Sequence, residues 1–146
     1  MASKKDDGGL SNLLARMDAV KNSPRKQINK ALMTSANELA DAQRHLAEAS
    51  RDTGALIDSI AVTGPGETTP AYSQPGGSRV AGEHEAIVTA GNSDVRYAHL
   101  VEYGTADTDA QPFFWPAFRL LRKRLQQRID RAGRKAIRDA WDGKND

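Results

Sequence analysis

The segment from Pro116 to Trp141 carries the strongest constraint on what this chain can fold into. Phe118, Leu121, Leu125, Ile129, Ala132 and Ala136 recur at steps of three and four, which places them on one side of a single long helix. The other side carries Arg119, Arg122, Lys123, Arg128, Arg131, Arg134, Lys135 and Arg138. A helix with one apolar stripe is stable only when that stripe is covered, so the rest of the chain must supply a surface for it. Gly133 costs the helix about 1 kcal/mol against Ala and marks where a bend would fall.

The same helix polarises the charge. The net charge of +2 conceals +6 over Pro116 to Asp142 (nine basic, three acidic residues) and −4 over Met1 to Trp115 (11 basic, 15 acidic). Such a split suits pairing between neighbouring subunits or contact with nucleic acid, and it equally describes a solvated helix face. Phosphate contact by Arg119, Arg122, Arg128 and Arg131 is one outcome. Pairing with acids such as Asp130 and Glu102, within or between subunits, is the other.

Upstream, Leu10, Leu13, Leu14, Met17 and Val20 mark a short amphipathic helix. Ser23-Pro24 reads as an N-cap with proline at the first helical position. The helix behind it is predicted to reach about Ser50, with a stripe of Ile28, Leu32, Ser35, Leu39, Ala42, Leu46 and Ala49, and Gly54 as the break. Leu56 to Thr63 passes from a helical turn into a strand with Ile60 and Val62 on one face, and Glu85 to Ala90 is a second strand. Between them, Gly64 to Gly82 holds five Gly and three Pro, too many for a regular element. A loop that long is functional or disordered, for example a hairpin tip that orders against a partner. Gly91-Asn92-Ser93-Asp94 is a turn, Val95 to Tyr103 is strand-like, and Thr105 to Gln111 is a polar loop. Pro112 and Pro116 bracket Phe113-Phe114-Trp115, an aromatic plug that anchors the last helix to the sheet. The predicted fold is α+β: a small antiparallel sheet with two N-terminal helices and a long basic C-terminal helix packed on it, and a long Gly/Pro-rich loop between strands. Residues 10–142 form one domain, 1–9 a mobile N-terminal arm and 143–146 a C-terminal tail.

Chemistry finds little to use. With no Cys, a disulfide scaffold, a thiolate metal site and a Cys nucleophile are all ruled out. His45, His84 and His99 lie apart with no second His at helical spacing, so no metal and no cofactor is expected. No Gly-x-Ser-x-Gly elbow and no phosphate loop occurs, and the expectation is a protein that is not an enzyme. No apolar run approaches the roughly 20 residues that span a bilayer. The charged, Gly-rich start lacks a signal peptide's apolar core, so folding in the cytoplasm is expected.

Two motifs remain. Thr53-Gly54, Leu56 and Ser59-Ile60 form a Thr-Gly-x-Leu-x-x-Ser-Ile stretch entering a strand. Tyr97, then Val101-Glu102-Tyr103-Gly104-Thr105, then Gln111-Pro112-Phe113 with Pro116 form the other. Together and in this order, over roughly Ile28 to Ile137, they resemble the tail-completion family of long-tailed bacteriophages, also called tail terminators or head-proximal tail components. The Gly/Pro-rich insert before His84 and the Phe114-Trp115 pair depart from that pattern.

The resemblance implies a structural virion protein that forms a ring at the head-proximal end of the tail, ends tube polymerisation and joins tail to head. A ring of about six copies would match the tube, closing through head-to-tail contacts. Exposed sheet edges would offer a template for a neighbour. The implied partners are further copies of the chain, the tail tube protein and head–tail connector or stopper proteins, with passing contact with genomic DNA and none with membrane. A neck or stopper ring on the portal side, with the basic helix lining the DNA channel, is the alternative. A free, non-specific nucleic-acid-binding protein is a third.

Overall fold

The computed structural model describes residues 8–48 and 54–144. Its order is α1 (Leu10–Asn22), α2 (Arg25–Ala47), α3 (Gly54–Asp58), β1 (Ala61–Thr63), β2 (Ile87–Thr89), α4 (Ala98–Tyr103) and α5 (Phe114–Trp141). The architecture is the predicted α+β one, with the long basic helix closing the chain. Most of the N-terminal arm, Ala49, Thr53 and the last two residues lie outside the described residues.

Helices α2 and α5 run antiparallel. Glu38 meets Arg124 at 3.1 Å and also Arg128, while Gln43 Nε2 near the end of α2 donates to the Phe114 carbonyl at the start of α5 (3.2 Å). The covered arc of α2 is rolled away from the predicted stripe: Ala31, Ser35, Ala36, Leu39, Ala40, Gln43 and Ala47 are buried, while Leu46 is exposed. The reason is that α2 has α5 against it and also β1, β2 and α3, so its alanines, with Ser35, Leu39 and Gln43, face the close approach.

The Ser23-Pro24 junction also differs from expectation. Ser23 is helical (φ −75°, ψ −30°) and ends α1, its N–H donating to the Ala19 carbonyl at 2.8 Å. Pro24 itself stands at the N-cap of α2, with no side-chain cap. Proline lacks the N–H that the next helix would leave unpaired there, so α2 follows α1 almost without interruption.

The sheet has two strands of three residues each, paired Ala61↔Thr89, Val62↔Val88 and Thr63↔Ile87. Ile60 is buried just ahead of β1, and Val62 packs half-buried on the same core. The insert at 64–82 has no strand or helix, as its composition predicts, and it is crossed by hydrogen bonds of its own. Gly66 N–H reaches Ala81 O (3.1 Å), Ala81 N–H reaches Glu67 O (2.8 Å) and Thr69 N–H reaches Arg79 O (2.8 Å). The buried Thr69 hydroxyl donates to Gly77 O at 2.9 Å, and Gln74 exchanges two backbone bonds with Ala90. At its base, Glu85 accepts from the Arg79 guanidinium at 3.0 and 3.2 Å, and then from Gly82 N–H, which hold its carboxyl below the usual carboxylate range.

The strand-like reading of Val95 to Tyr103 is overturned: this segment holds α4. Ala98 and Glu102 are buried while His99, Leu100 and Tyr103 face out, a spacing of four that suits a helix and not a strand. Helix α5 starts at Phe114, two residues ahead of Pro116, so the aromatic plug is its first turn. Pro116 is tolerated there because the first N–H groups of a helix have no partner within it. The helix runs unbroken through Gly133, and the predicted stripe is its covered side, with Leu125 and Ala136 buried. The core joins Ala40 and Ala47 of α2, Leu56, Ile60, Ala90, Val95, Ala98, Phe113 and Phe114.

Candidate functional site

The two motifs, far apart in sequence, meet in that one core. Leu56, Ser59 and Ile60 are each at most 2% exposed, and Phe113 only 1%. Ser59 Oγ donates to Leu56 O (2.6 Å) and accepts from Gly91 N–H (3.1 Å), tying the first motif to the turn after β2. Gly54 opens α3 on the surface, and Tyr97 and Val101 pack half-buried against the core.

The second motif is organised around Glu102. Its Oε2 accepts the N–H groups of Phe113 (2.8 Å) and Phe114 (2.9 Å), and its Oε1 that of Trp115 (3.1 Å). These are the cap and first two residues of α5, so a buried carboxylate on α4 caps the long helix from outside and faces its positive dipole end. Glu102 is therefore occupied by backbone and is not the partner predicted for the basic face. Gln111 N–H donates to Val101 O at 2.8 Å, and Trp115 Nε1 donates to Tyr103 Oη at 2.9 Å, closing the 104–112 link at both ends. Thr105 Oγ1 accepts from Asp107 and Thr108 N–H and shapes the polar loop. Gly104 has φ +75°, and a Cβ there would stand 2.7 Å from Ala110 N, so the link needs glycine. Pro112 is exposed and leads into the cap, while Pro116 sits in the first turn.

The four arginines part company. Arg128 is held by Glu38 and lies 3.4 Å from Ser35 Oγ. Among the described residues, Arg119, Arg122 and Arg131 are exposed and have no acidic partner. The predicted partner Asp130 accepts instead from Gln126 on its own helix at 3.0 Å. The acid that reaches the arginines of α5 from another helix is Glu38, which sequence reasoning passed over because nothing local links it to residues 124 and 128. Lys26 and Lys30 of α2 share a cleft with Arg128 and Lys135 of α5, of which Arg128 is paired with Glu38 and Lys135 with Asp139 (3.5 Å).

The predicted histidines stay apart. His45 lies near Glu48 (3.7 Å) and His84 near Asn29 (3.3 Å), and among the described residues no group of His, Asp and Glu could hold a metal ion. No described helix is long and apolar enough to cross a membrane. The site is a structural joint beside a basic face.

The profile of the HK97-gp10-like family, described as "Bacteriophage HK97-gp10, putative tail-component", matches residues 11–104. The chain belongs to that family. The match takes in α1 to α4, the first motif and the Tyr97–Gly104 part of the second; the aromatic turn and the basic helix lie beyond it. No curated protein and no solved structure gives a match. Membership makes the protein a structural component of a bacteriophage tail, which agrees with the tail-family resemblance of its motifs.

Proposed function

We propose that the protein forms a ring at the head-proximal end of the tail, where it ends polymerisation of the tail tube and joins tail to head. Its role is then assembly and not catalysis, its place is the virion, and its partners are further copies, the tube protein and the connector proteins. The observation that carries this reading is the unbalanced basic face of α5: Arg119, Arg122 and Arg131 lack acids within the described chain, whereas Asp107 and Asp109 are exposed on the loop before α5. Opposite charges at separate places suit a head-to-tail contact that closes into a ring. Reversing Arg122 and Arg131 to Glu is expected to block ring formation while leaving the monomer folded; rings that form normally would remove the electrostatic argument.

A specific observation favours a second reading, the neck or stopper ring on the portal side. Lys26 and Lys30, which line a cleft with Arg128 and Lys135 and have no acidic partner among the described residues, would suit phosphates of DNA passing a channel. Electron microscopy of particles made without the protein separates the two. Filled heads beside overlong or irregular tails support termination. Tails of normal length beside heads that have lost their DNA support the stopper. Tight binding of free DNA that weakens steeply with salt would instead favour a nucleic-acid-binding protein.

A further inference from the structure

A cavity of about 80 Å³ lies where α4 meets the first turn of α5. Phe113, Phe114, Trp115 and Tyr103 form its walls, and Glu102 lies among them. Successive rings of the 113–115 run stand nearly perpendicular, at 87° and 80°. The hydrogen bond from Trp115 Nε1 to Tyr103 Oη fixes the fourth wall. Tyr103 is 69% exposed, so the cavity is reached from solvent.

Glu102 is 7% exposed, and among the described residues it forms no ion pair. No Lys or Arg lines the cavity. The carboxylate accepts three backbone N–H groups, out of about four acceptor positions that a carboxylate offers. A buried carboxylate beside aromatic faces attracts a cation and repels an anion. Volume sets the size of that cation. A dry cavity of roughly 150 Å³ takes the six carbons of benzene, so about half that volume takes three or four heavy atoms. A guanidinium group, one carbon and three nitrogens, has that size. It is planar, weakly hydrated, stacks on aromatic rings and donates in a rigid fork.

The chain has such groups to spare. Arg119, Arg122 and Arg131 are exposed and have no acidic partner among the described residues. Arg131 stands 16 residues (131 − 115) along α5 from Trp115, about 24 Å at the helical rise, and cannot reach the cavity of its own chain.

We infer that the cavity is a binding site for a guanidinium group and that Arg131 of a second copy fills it. This rests on the ring reading and names its anchor. Cavity and Arg131 lie at separate places on each chain, so every copy offers one and receives one, and the contact is head to tail. Exposed Asp107 and Asp109, on the loop that leaves α4, extend the negative side of the contact.

Trp115 reports on the cavity once the other tryptophan is removed as Trp141→Phe. The full chain is titrated with ethylguanidinium and with ethylurea, its neutral counterpart. Ethylguanidinium is expected to change Trp115 fluorescence with half-saturation at about 1–10 mM, and ethylurea to bind at least about ten-fold more weakly. Glu102→Gln should erase that preference. Tyr103→Ala, an exposed wall position, should weaken binding about ten-fold while the protein melts as before. Equal binding of the two probes, or none, overturns the site. The occupant is tested by self-association in the ultracentrifuge. Arg131→Ala and Tyr103→Ala should each weaken it about ten-fold, and the double variant no more than either alone. Additive losses mean that Arg131 acts elsewhere, and the inference falls. Rings that form equally well with Arg131→Ala overturn this contact and leave the ring reading standing. Probe binding by a protein that never forms rings, in solution or in particles, keeps the guanidinium site and removes both the ring reading and Arg131 as its occupant.

Discussion

The joint between α4 and α5 and the N-terminal helix α1 are built on opposite terms. At the joint, the apolar and hydrogen-bonding groups are answered within the chain: Phe113 is 1% exposed, and Glu102 satisfies three N–H groups that α5 would otherwise leave open. In α1 the four largest apolar side chains stay about half exposed. The joint therefore belongs to the folding of one subunit, whereas α1 keeps an apolar side that the described chain leaves open.

The contrast can be broken by unfolding measurements on single subunits. Phe113→Ala removes a fully buried ring from the meeting point of both motifs, and a loss of about 3–5 kcal/mol in urea unfolding is expected. A loss below about 1 kcal/mol would mean the joint is not central to the fold. Glu102→Ala should cost about 2–3 kcal/mol, because three N–H groups lose a charged acceptor while staying largely buried. Glu102→Gln, which keeps an acceptor oxygen, should cost less, and equal losses would argue against a capping role.

Gly133→Ala sharpens the comparison from the other side. A Cβ there meets nothing within 4 Å and the helix is regular, so α5 should gain about 1 kcal/mol, read as a higher melting temperature. A loss would reveal a contact made only between subunits, if it appears in assembled material alone. Leu14→Ser should change monomer stability by less than about 0.5 kcal/mol, as substitutions at exposed sites do. A drop of 2 kcal/mol or more, well above that range, would place α1 in the subunit core and remove the contrast.

Much of this was legible in residue order. The apolar stripe of α5, the amphipathic run of α1, the irregular insert at 64–82 and the aromatic turn are local patterns, and each lies where spacing predicts. The segment at 95–103 was misread because a short apolar run looks alike as strand or helix, and only the burial of Ala98 with Glu102 distinguishes them. The insert's internal bonding was hidden because Thr69 and Arg79, ten positions apart, are joined backbone to backbone and backbone to hydroxyl with no periodic side-chain pattern to announce it. The site divides in the same way: Gly104 and Phe113 stand out in sequence, whereas the pairing of Glu38 with Arg124 and Arg128 does not.

By itself, then, the sequence determined the long amphipathic helices, where charge accumulates and where glycine and proline break the chain, since these depend on neighbours within a few positions. Tertiary structure alone decided that Glu102 caps a helix eleven residues on, that Glu38 and not Asp130 or Glu102 answers the arginines, and that the apolar side of α1 is left open. Partner choice depends on distances between segments remote in sequence. A carboxylate reads the same in a sequence whether it faces water, an arginine or three backbone N–H groups.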